Sequence, residues 1–270
     1  MLVSRALAAS GLVPFEAKLL LAHVVGRDRA WLAAHPGDAL TAEQTQKFAA
    51  LARRRRRGEP VAYLIGRREF YGLDLEITTA VLIPRPETEL LVDLSLGHAP
   101  ADRTVDVLDI GTGSGAVALA IASQRRNARV VGTDISPAAL ALAGRNAARL
   151  SLANVSFMES DWFASLAGRR FDLIAGNPPY VATNDPHLFE GDLRHEPAQA
   201  LVSGVDGLDA LRAIVAAAPA HLARDGWLLL EHGHDQARAV AALLDDAGFV
   251  DIDAARDLAG ILRVGYGRIR

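Results

Sequence analysis

From Thr104 onward the apolar pattern of this chain alternates between short runs and longer amphipathic stretches, and that alternation admits few architectures. Residues 105–110, 129–133, 155–157, 171–175 and 226–231 form short apolar runs bounded by turn residues. Such runs fit buried parallel strands. Between and after them, residues 116–123, 137–150, 208–222 and 236–247 carry helical periodicity, and 249–252 and 262–269 read as two closing strands. A succession of βα units of this kind predicts an α/β fold: a doubly wound, mostly parallel seven-stranded sheet with helices on both faces.

The upstream third has a different period. Residues 1–65 read as a small helical domain, 66–84 as a β-hairpin linker and 85–270 as the α/β domain. Pro14 suits the first turn of a helix, and Thr41–Gln44 has the form of a capping box. Arg53–Arg57 is a run of five arginines. It reads as a solvated helix end whose cations suit the helix dipole, the alternative being a patch that faces RNA or an acidic partner. The chain has no cysteine, so disulfides and thiolate metal sites are excluded. A net charge of −3 argues against broad, sequence-independent binding of nucleic acid. No apolar run approaches the roughly 20 residues that span a bilayer, and the first residues do not form a signal peptide. These features predict a cytoplasmic monomer without membrane or metal partners. Neither His232 nor His234 has the company a zinc site needs.

The residues suited to chemistry fall at strand ends, where open α/β sheets bind ligands. The strand at 171–175 is followed by Gly176 and then Asn177-Pro178-Pro179-Tyr180. The residue before a proline is pushed to extended backbone, and prolines end the ladder for want of N–H groups. What results is a stiff turn that offers one amide side chain, free carbonyls and a phenol ring, suited to gripping a small planar group with N–H donors. Asp109 to Gly115 forms a glycine-rich turn between the first strand and a helix. It is neither a Walker A loop nor the GxGxxG that seats a pyrophosphate. Asp134 ends the second strand about twenty residues later, where an acid accepts from ribose hydroxyls; the competing role is a helix N-cap, since Ser136-Pro137 follows. The third strand ends at Glu159-Ser160-Asp161-Trp162, an acid and an aromatic able to hold an adenine. The three loops together imply a nucleoside-bearing cofactor without an obligatory pyrophosphate. Asp185, His187, Glu190, Asp192 and His195 read as a lid or docking loop.

The order DIGTGSG, Asp134, SDW and NPPY resembles class I S-adenosylmethionine-dependent methyltransferases that act on amino groups. EPVAYLIGRREFYGL, LIPRPETE, NPPY followed by DPHLFEGDLRHEP, and LLLEHG resemble the HemK/PrmC family, which methylates the glutamine amide of class-1 peptide chain release factors. The resemblance implies that Gly111, Thr112, Gly113, Ser114, Gly115, Asp134, Asp161, Trp162 and Asn177 line the S-adenosylmethionine pocket. It implies that Asn177, Pro178, Pro179 and Tyr180 hold the glutamine of a Gly-Gly-Gln loop, with Leu82 packing near it. The helical domain and hairpin are expected to help dock the release factor. In this pose the Asn177 side-chain oxygen and the Pro178 carbonyl each accept one amide hydrogen, Tyr180 packs on the amide plane, and no His, Glu or Lys acts as base. The nearest rival is a nucleic-acid methyltransferase acting on adenine N6 or guanine N2, which needs base extrusion and a basic channel. A non-catalytic binding module on the same scaffold is the third possibility, disfavoured by the intact glycine turn, Asp134 and Asn177.

Overall fold

The computed structural model describes residues 1–270 in two units. One comprises Met1–Arg67 with His187–His195, the other Arg68–Pro186 with Glu196–Arg270.

The first unit is helical: α1 (Val3–Ala9), α2 (Pro14–Val25), α3 (Arg29–Ala34), α4 (Ala42–Arg56) and α5 (Val61–Ile65). Val3, Leu20, Leu21, Leu32, Phe48 and Leu64 meet in its core. Thr41 starts α4 with a complete capping box: its hydroxyl accepts from the Gln44 N–H at 3.1 Å, and the Gln44 side chain accepts from the Thr41 N–H at 2.9 Å. The short α5 went unforeseen; it ends on Gly66, whose N–H reaches the Ala62 carbonyl at 2.8 Å. The arginine run is a mostly exposed helix end, as expected, with Arg55 the half-buried exception. Arg54 pairs with Glu59, and Arg56 donates to the Ser10 carbonyl. Arg55 grips both oxygens of Glu16, at 2.8 and 3.0 Å, and donates to Asp192 at 2.7 Å. Arg194 in turn donates to the Arg57 carbonyl. These bonds tie His187–His195 to the helices, although the segment lies in the 85–270 stretch expected to form the other domain.

The second unit opens within a hairpin, β1 (Arg67–Phe70) and β2 (Leu73–Glu76), whose turn uses positive φ at Tyr71 and Gly72. A 3₁₀ turn at Pro86–Thr88 leads into α6 (Glu89–His98). Then come β3 (Asp106–Ile110), α7 (Ala116–Gln124), β4 (Arg129–Asp134), α8 (Pro137–Arg149), β5 (Val155–Glu159) and β6 (Phe171–Gly176). They are followed by α9 (Asp209–Ala217), β7 (Leu222–Glu231), α10 (Ala237–Asp246), β8 (Val250–Arg256) and β9 (Leu262–Arg268). The sheet has seven strands in the order β5-β4-β3-β6-β7-β9-β8, with only β9 running against its neighbours. This is the doubly wound α/β architecture expected from the βα alternation. Leu108, Ile110, Ile174, Leu228 and Leu230 from the central strands pack with Leu211, Ile214 and Val240 of the covering helices.

Strand order reverses between β3 and β6, and the register places four strand ends in one row. Ile110 pairs with Gly176 on one side and Thr133 on the other, and Asp134 pairs with Glu159. The residues that follow therefore leave the sheet side by side: the glycine turn, Asp134, Ser160 and Asn177. A crevice at such a reversal is where this class of fold binds its ligands. No helix is long and apolar enough to cross a membrane.

Candidate active site

A cavity of about 250 Å³ opens over these strand ends. Gly111, Thr112, Gly113 and Ser114 line it from the first βα turn, Asp134 from β4, Asp161 and Trp162 from the loop after β5, and Asn177 and Pro179 from the loop after β6. Leu82 lines it as well, next to Ala80 and Val81.

The glycine turn is built to keep backbone exposed to a ligand. Gly113 has φ +54°, and a Cβ built on it meets nothing within 4 Å, so the space beside it is open. Thr112 buries its hydroxyl on Asp109 at 2.6 Å, and the Ala118 N–H reaches the same carboxylate oxygen at 3.0 Å. Burial pushes the Asp109 carboxyl up to about 6 against those two donors. The turn is also fixed from outside: Asn146 on α8 donates to the Ser114 and Glu76 carbonyls, each at 3.0 Å. Gly115, expected in the pocket, does not line it. It starts α7 with φ +84°, packed against Leu119 and Ala143.

Asp134 bridges two loops. Its Oδ2 accepts from the Gly113 N–H and its Oδ1 from the Ser136 N–H, both at 2.9 Å. The N-cap of α8 is Ser136, whose hydroxyl accepts from the Ala139 N–H at 3.3 Å. Asp134 is thus free of capping duty, and each oxygen keeps a lone pair for a hydroxyl of a bound sugar. Ile135, 48% exposed, adds an apolar wall beside it, and Trp162 takes a positive φ of 45°. A carboxylate for hydroxyl donors, a second at Asp161, apolar walls and an open glycine backbone fit an adenosyl group.

The Asn177-Pro178-Pro179-Tyr180 turn divides its residues. Asn177 faces the cavity; its Nδ2 donates to the Thr88 hydroxyl at 3.1 Å, and its Oδ1 is buried with no hydrogen-bond partner. Pro178 is buried, and neither it nor Tyr180 lines the cavity. The Tyr180 ring packs against the sheet core, and its hydroxyl donates to Glu231 Oε1 at 3.2 Å. Burial and the Glu231 charge hold this phenol strongly on its protonated side. The Tyr180 carbonyl is held by Gln236 Nε2 at 3.0 Å.

Sequence reasoning missed several of these residues. Thr88 and Glu231 lie within LIPRPETE and LLLEHG, but nothing local in those stretches shows that they meet Asn177 and Tyr180. Pro197, Gln199 and Ala200 also line the cavity. They are set by Glu196, a buried acid that pairs with Arg85 and accepts from the Ile83 N–H at 3.1 Å. His232 is buried with Nδ1 on the Gly233 carbonyl at 2.8 Å, and burial lowers its pKa.

Residues 2–66 match the family model for the PrmC N-terminal domain, and residues 87–204 match the methyltransferase small domain. A release factor glutamine methyltransferase of Xylella fastidiosa is 53% identical over 94% of this chain and 92% of its own length. One from Burkholderia pseudomallei is 50% identical over 97% of this chain and 94% of its own. Among solved structures, a methyltransferase from Pyrococcus furiosus superposes with a TM-score of 0.55 at 19% identity. It covers 73% of this chain and 89% of its own, a likeness of fold.

Proposed function

The chain belongs to the release factor glutamine methyltransferase family, and we propose that it moves a methyl group from S-adenosylmethionine to the side-chain amide nitrogen, N5, of the glutamine in the Gly-Gly-Gln loop of class-1 release factors. The observation that carries this reading is the placement of Asn177. Its unpartnered Oδ1 lies on a residue that lines the same cavity as the glycine turn and Asp134.

S-adenosylmethionine, when bound, supplies a methyl group on a positively charged sulfur. Gly111 to Ser114, Asp134, Asp161, Trp162 and Ile135 would hold it. The residues of the turn then have a defined task. An amide nitrogen is a poor nucleophile because its lone pair is delocalised into the carbonyl. Asn177 Oδ1 accepts one hydrogen of that nitrogen. A fixed acceptor at the reacting atom stabilises the positive charge that develops there, and it holds the nitrogen in line for attack. The nitrogen becomes acidic as it is alkylated, so its proton leaves to water without a dedicated base. Pro179 and Leu82 shape the opening through which the glutamine enters. Tyr180 braces the turn from the core side through Glu231 rather than from the cavity.

The Met1–Arg67 helices, which match the PrmC N-terminal domain, serve to dock the release factor. The enzyme works as a cytoplasmic monomer on a protein substrate, without binding nucleic acid; the net charge of −3 favours this over a base methyltransferase. Replacing Asn177→Ala tests the assigned role. Transfer to a release factor should fall by about a thousandfold while S-adenosylmethionine still binds. Unaltered turnover would refute it.

A further inference from the structure

We infer that Gln199 is a further substrate-contacting residue, whose side-chain amide binds the main chain of the peptide loop that carries the target glutamine, and that Glu196 is the residue that positions it. The inference rests on the glutamine methyltransferase reading above. The amide of the target glutamine is taken by Asn177. Beside that glutamine in a Gly-Gly-Gln loop stand two glycines, which offer peptide N–H and C=O groups and no side chain. A primary amide both donates and accepts, so it is suited to pair with a peptide group.

Gln199 lies in a 3₁₀ turn, Ala198–Ala200, that is held at both ends. Before it, the buried Glu196 accepts from the Ile83 N–H at 3.1 Å and pairs with Arg85. Leu82 and Pro84, on either side of Ile83, line the cavity, as do Pro197, Gln199 and Ala200. After it, the Val181 N–H donates to the Leu201 carbonyl and the Ser203 N–H to the Val181 carbonyl, both at 2.9 Å. Val181 directly follows Tyr180. Within the turn, the Ala200 N–H donates to the Pro197 carbonyl at 2.9 Å and the Val202 N–H to the Ala198 carbonyl at 2.8 Å. One short turn is thus fixed to the Leu82 wall at its start and to the end of the Asn177–Tyr180 turn at its finish.

Around this turn the cavity wall is otherwise apolar, made by Leu82, Pro84, Pro179, Pro197 and Ala200. Thr88 lines it too, but its hydroxyl already accepts from Asn177 Nδ2. Asp134 and Asp161 stand with the glycine turn, on the side suited to the adenosyl group. Asn177 and Gln199 are therefore the two amides that the wall offers to a peptide. Gln199 is exposed, and its side chain makes no hydrogen bond within the protein. Neither end of its amide has to leave a partner before it binds, and the fixed backbone of the turn has little freedom left to lose. Burying the Glu196 carboxylate is costly unless it is paired and hydrogen-bonded. Its partners are what fasten the turn to the wall.

The test measures kcat and KM for a purified release factor, S-adenosylmethionine affinity and thermal melting in wild type, Gln199→Leu, Glu196→Gln and the Gln199→Leu/Glu196→Gln double variant. Leucine keeps much of the bulk of glutamine but neither donates nor accepts. We expect Gln199→Leu to raise KM by about three- to tenfold, the worth of a hydrogen bond of this kind. Cofactor affinity and melting should stay near wild type, and kcat should change far less than KM, as for a contact made equally before and during the reaction. Glu196→Gln loses the charged pair with Arg85, and in that background Gln199→Leu should raise KM by less than about twofold, because a loosened turn no longer presents the side chain. The KM ratio of Gln199→Leu to wild type should also persist against release factors in which each residue flanking Gly-Gly-Gln is replaced in turn by alanine, since the main chain survives those changes. Wild-type KM in Gln199→Leu overturns the contact, and a full KM rise in the Glu196→Gln background overturns the role of Glu196. A ratio that falls to one for a single alanine variant shows that Gln199 reads that side chain and overturns the main-chain assignment. If wild type leaves release factors unlabelled and methylates nucleic acid, the glutamine reading fails and the inference with it. A methylated release factor with unchanged KM in Gln199→Leu defeats the inference alone.

Discussion

The Gly113 N–H donates to Asp134 Oδ2 at 2.9 Å, so the acid at the end of β4 holds the glycine turn after β3. One side chain thus shapes the loop and offers its remaining lone pairs to the ligand. Asp134→Ala should weaken S-adenosylmethionine binding by about 2 kcal/mol, roughly 30-fold. Asp134→Asn, which keeps one acceptor oxygen, should lose less. Titration calorimetry with the cofactor checks both, and unchanged affinity in the alanine variant would contradict the role.

Gly207 supports the active turn from behind. It has φ +76°, and a Cβ there would collide with the Tyr180 carbonyl oxygen and approach Gln236 Nε2 at 2.8 Å. Gly207→Ala should therefore cost about 1–3 kcal/mol of stability from backbone strain and lower kcat, because the shift passes directly to Asn177-Pro178-Pro179-Tyr180. Gln236→Ala, which removes the hydrogen bond to the same carbonyl, should cost about 1 kcal/mol. Urea denaturation and turnover on the same samples separate the two effects.

Burial raises the Glu231 carboxyl from 4.5 to about 7, opposed by the Thr88 and Tyr180 hydroxyls and Arg263. Between those values the folded protein holds a proton that the unfolded chain has released, so this group's contribution to stability falls as pH rises through about 7. Glutamine has no such cost. Relative to wild type, Glu231→Gln should gain on the order of 3 kcal/mol of unfolding free energy between pH 4.5 and 8. Denaturation curves across that range test it, and a constant difference between the two proteins would exclude it.

Arg55 and Arg53 lie on one helix yet should behave differently. The Arg55 side chain, 18% exposed, holds Glu16 and Asp192; Arg53 is exposed. Arg55→Ala should destabilise the helical unit by about 1–2 kcal/mol and speed protease cleavage within His187–His195. Arg53→Ala should stay within about 0.5 kcal/mol of wild type. Limited proteolysis with mass analysis of the fragments distinguishes them.

The parts legible in the sequence were those with a local signature. The strand at 171–175 announced itself by its apolar run, and the two prolines after Asn177 marked where it stops. Thr41 and Gln44, three positions apart, signalled a cap that the structure contains. What escaped notice depends on pairing across the chain. Asn177 and Thr88 are 89 positions apart, Arg55 and Asp192 137. No periodicity links such pairs, so nothing set Arg55 apart from its exposed neighbours, and the acid in LLLEHG went unremarked. Gly115 lies outside the cavity lining for a related reason: a glycine that admits a ligand and one that admits a neighbouring helix look alike until packing is known. Tyr180 likewise read as a cavity residue because its ring could face either the cavity or the core.

Methyl transfer from labelled S-adenosylmethionine tests the central claim most directly, with purified release factor, its Gly-Gly-Gln loop Gln→Ala variant, tRNA, rRNA and DNA offered in parallel. The account expects label on the wild-type release factor alone, at the glutamine. Label on nucleic acid with none on the release factor, or equal label on the Gln→Ala variant, would contradict it.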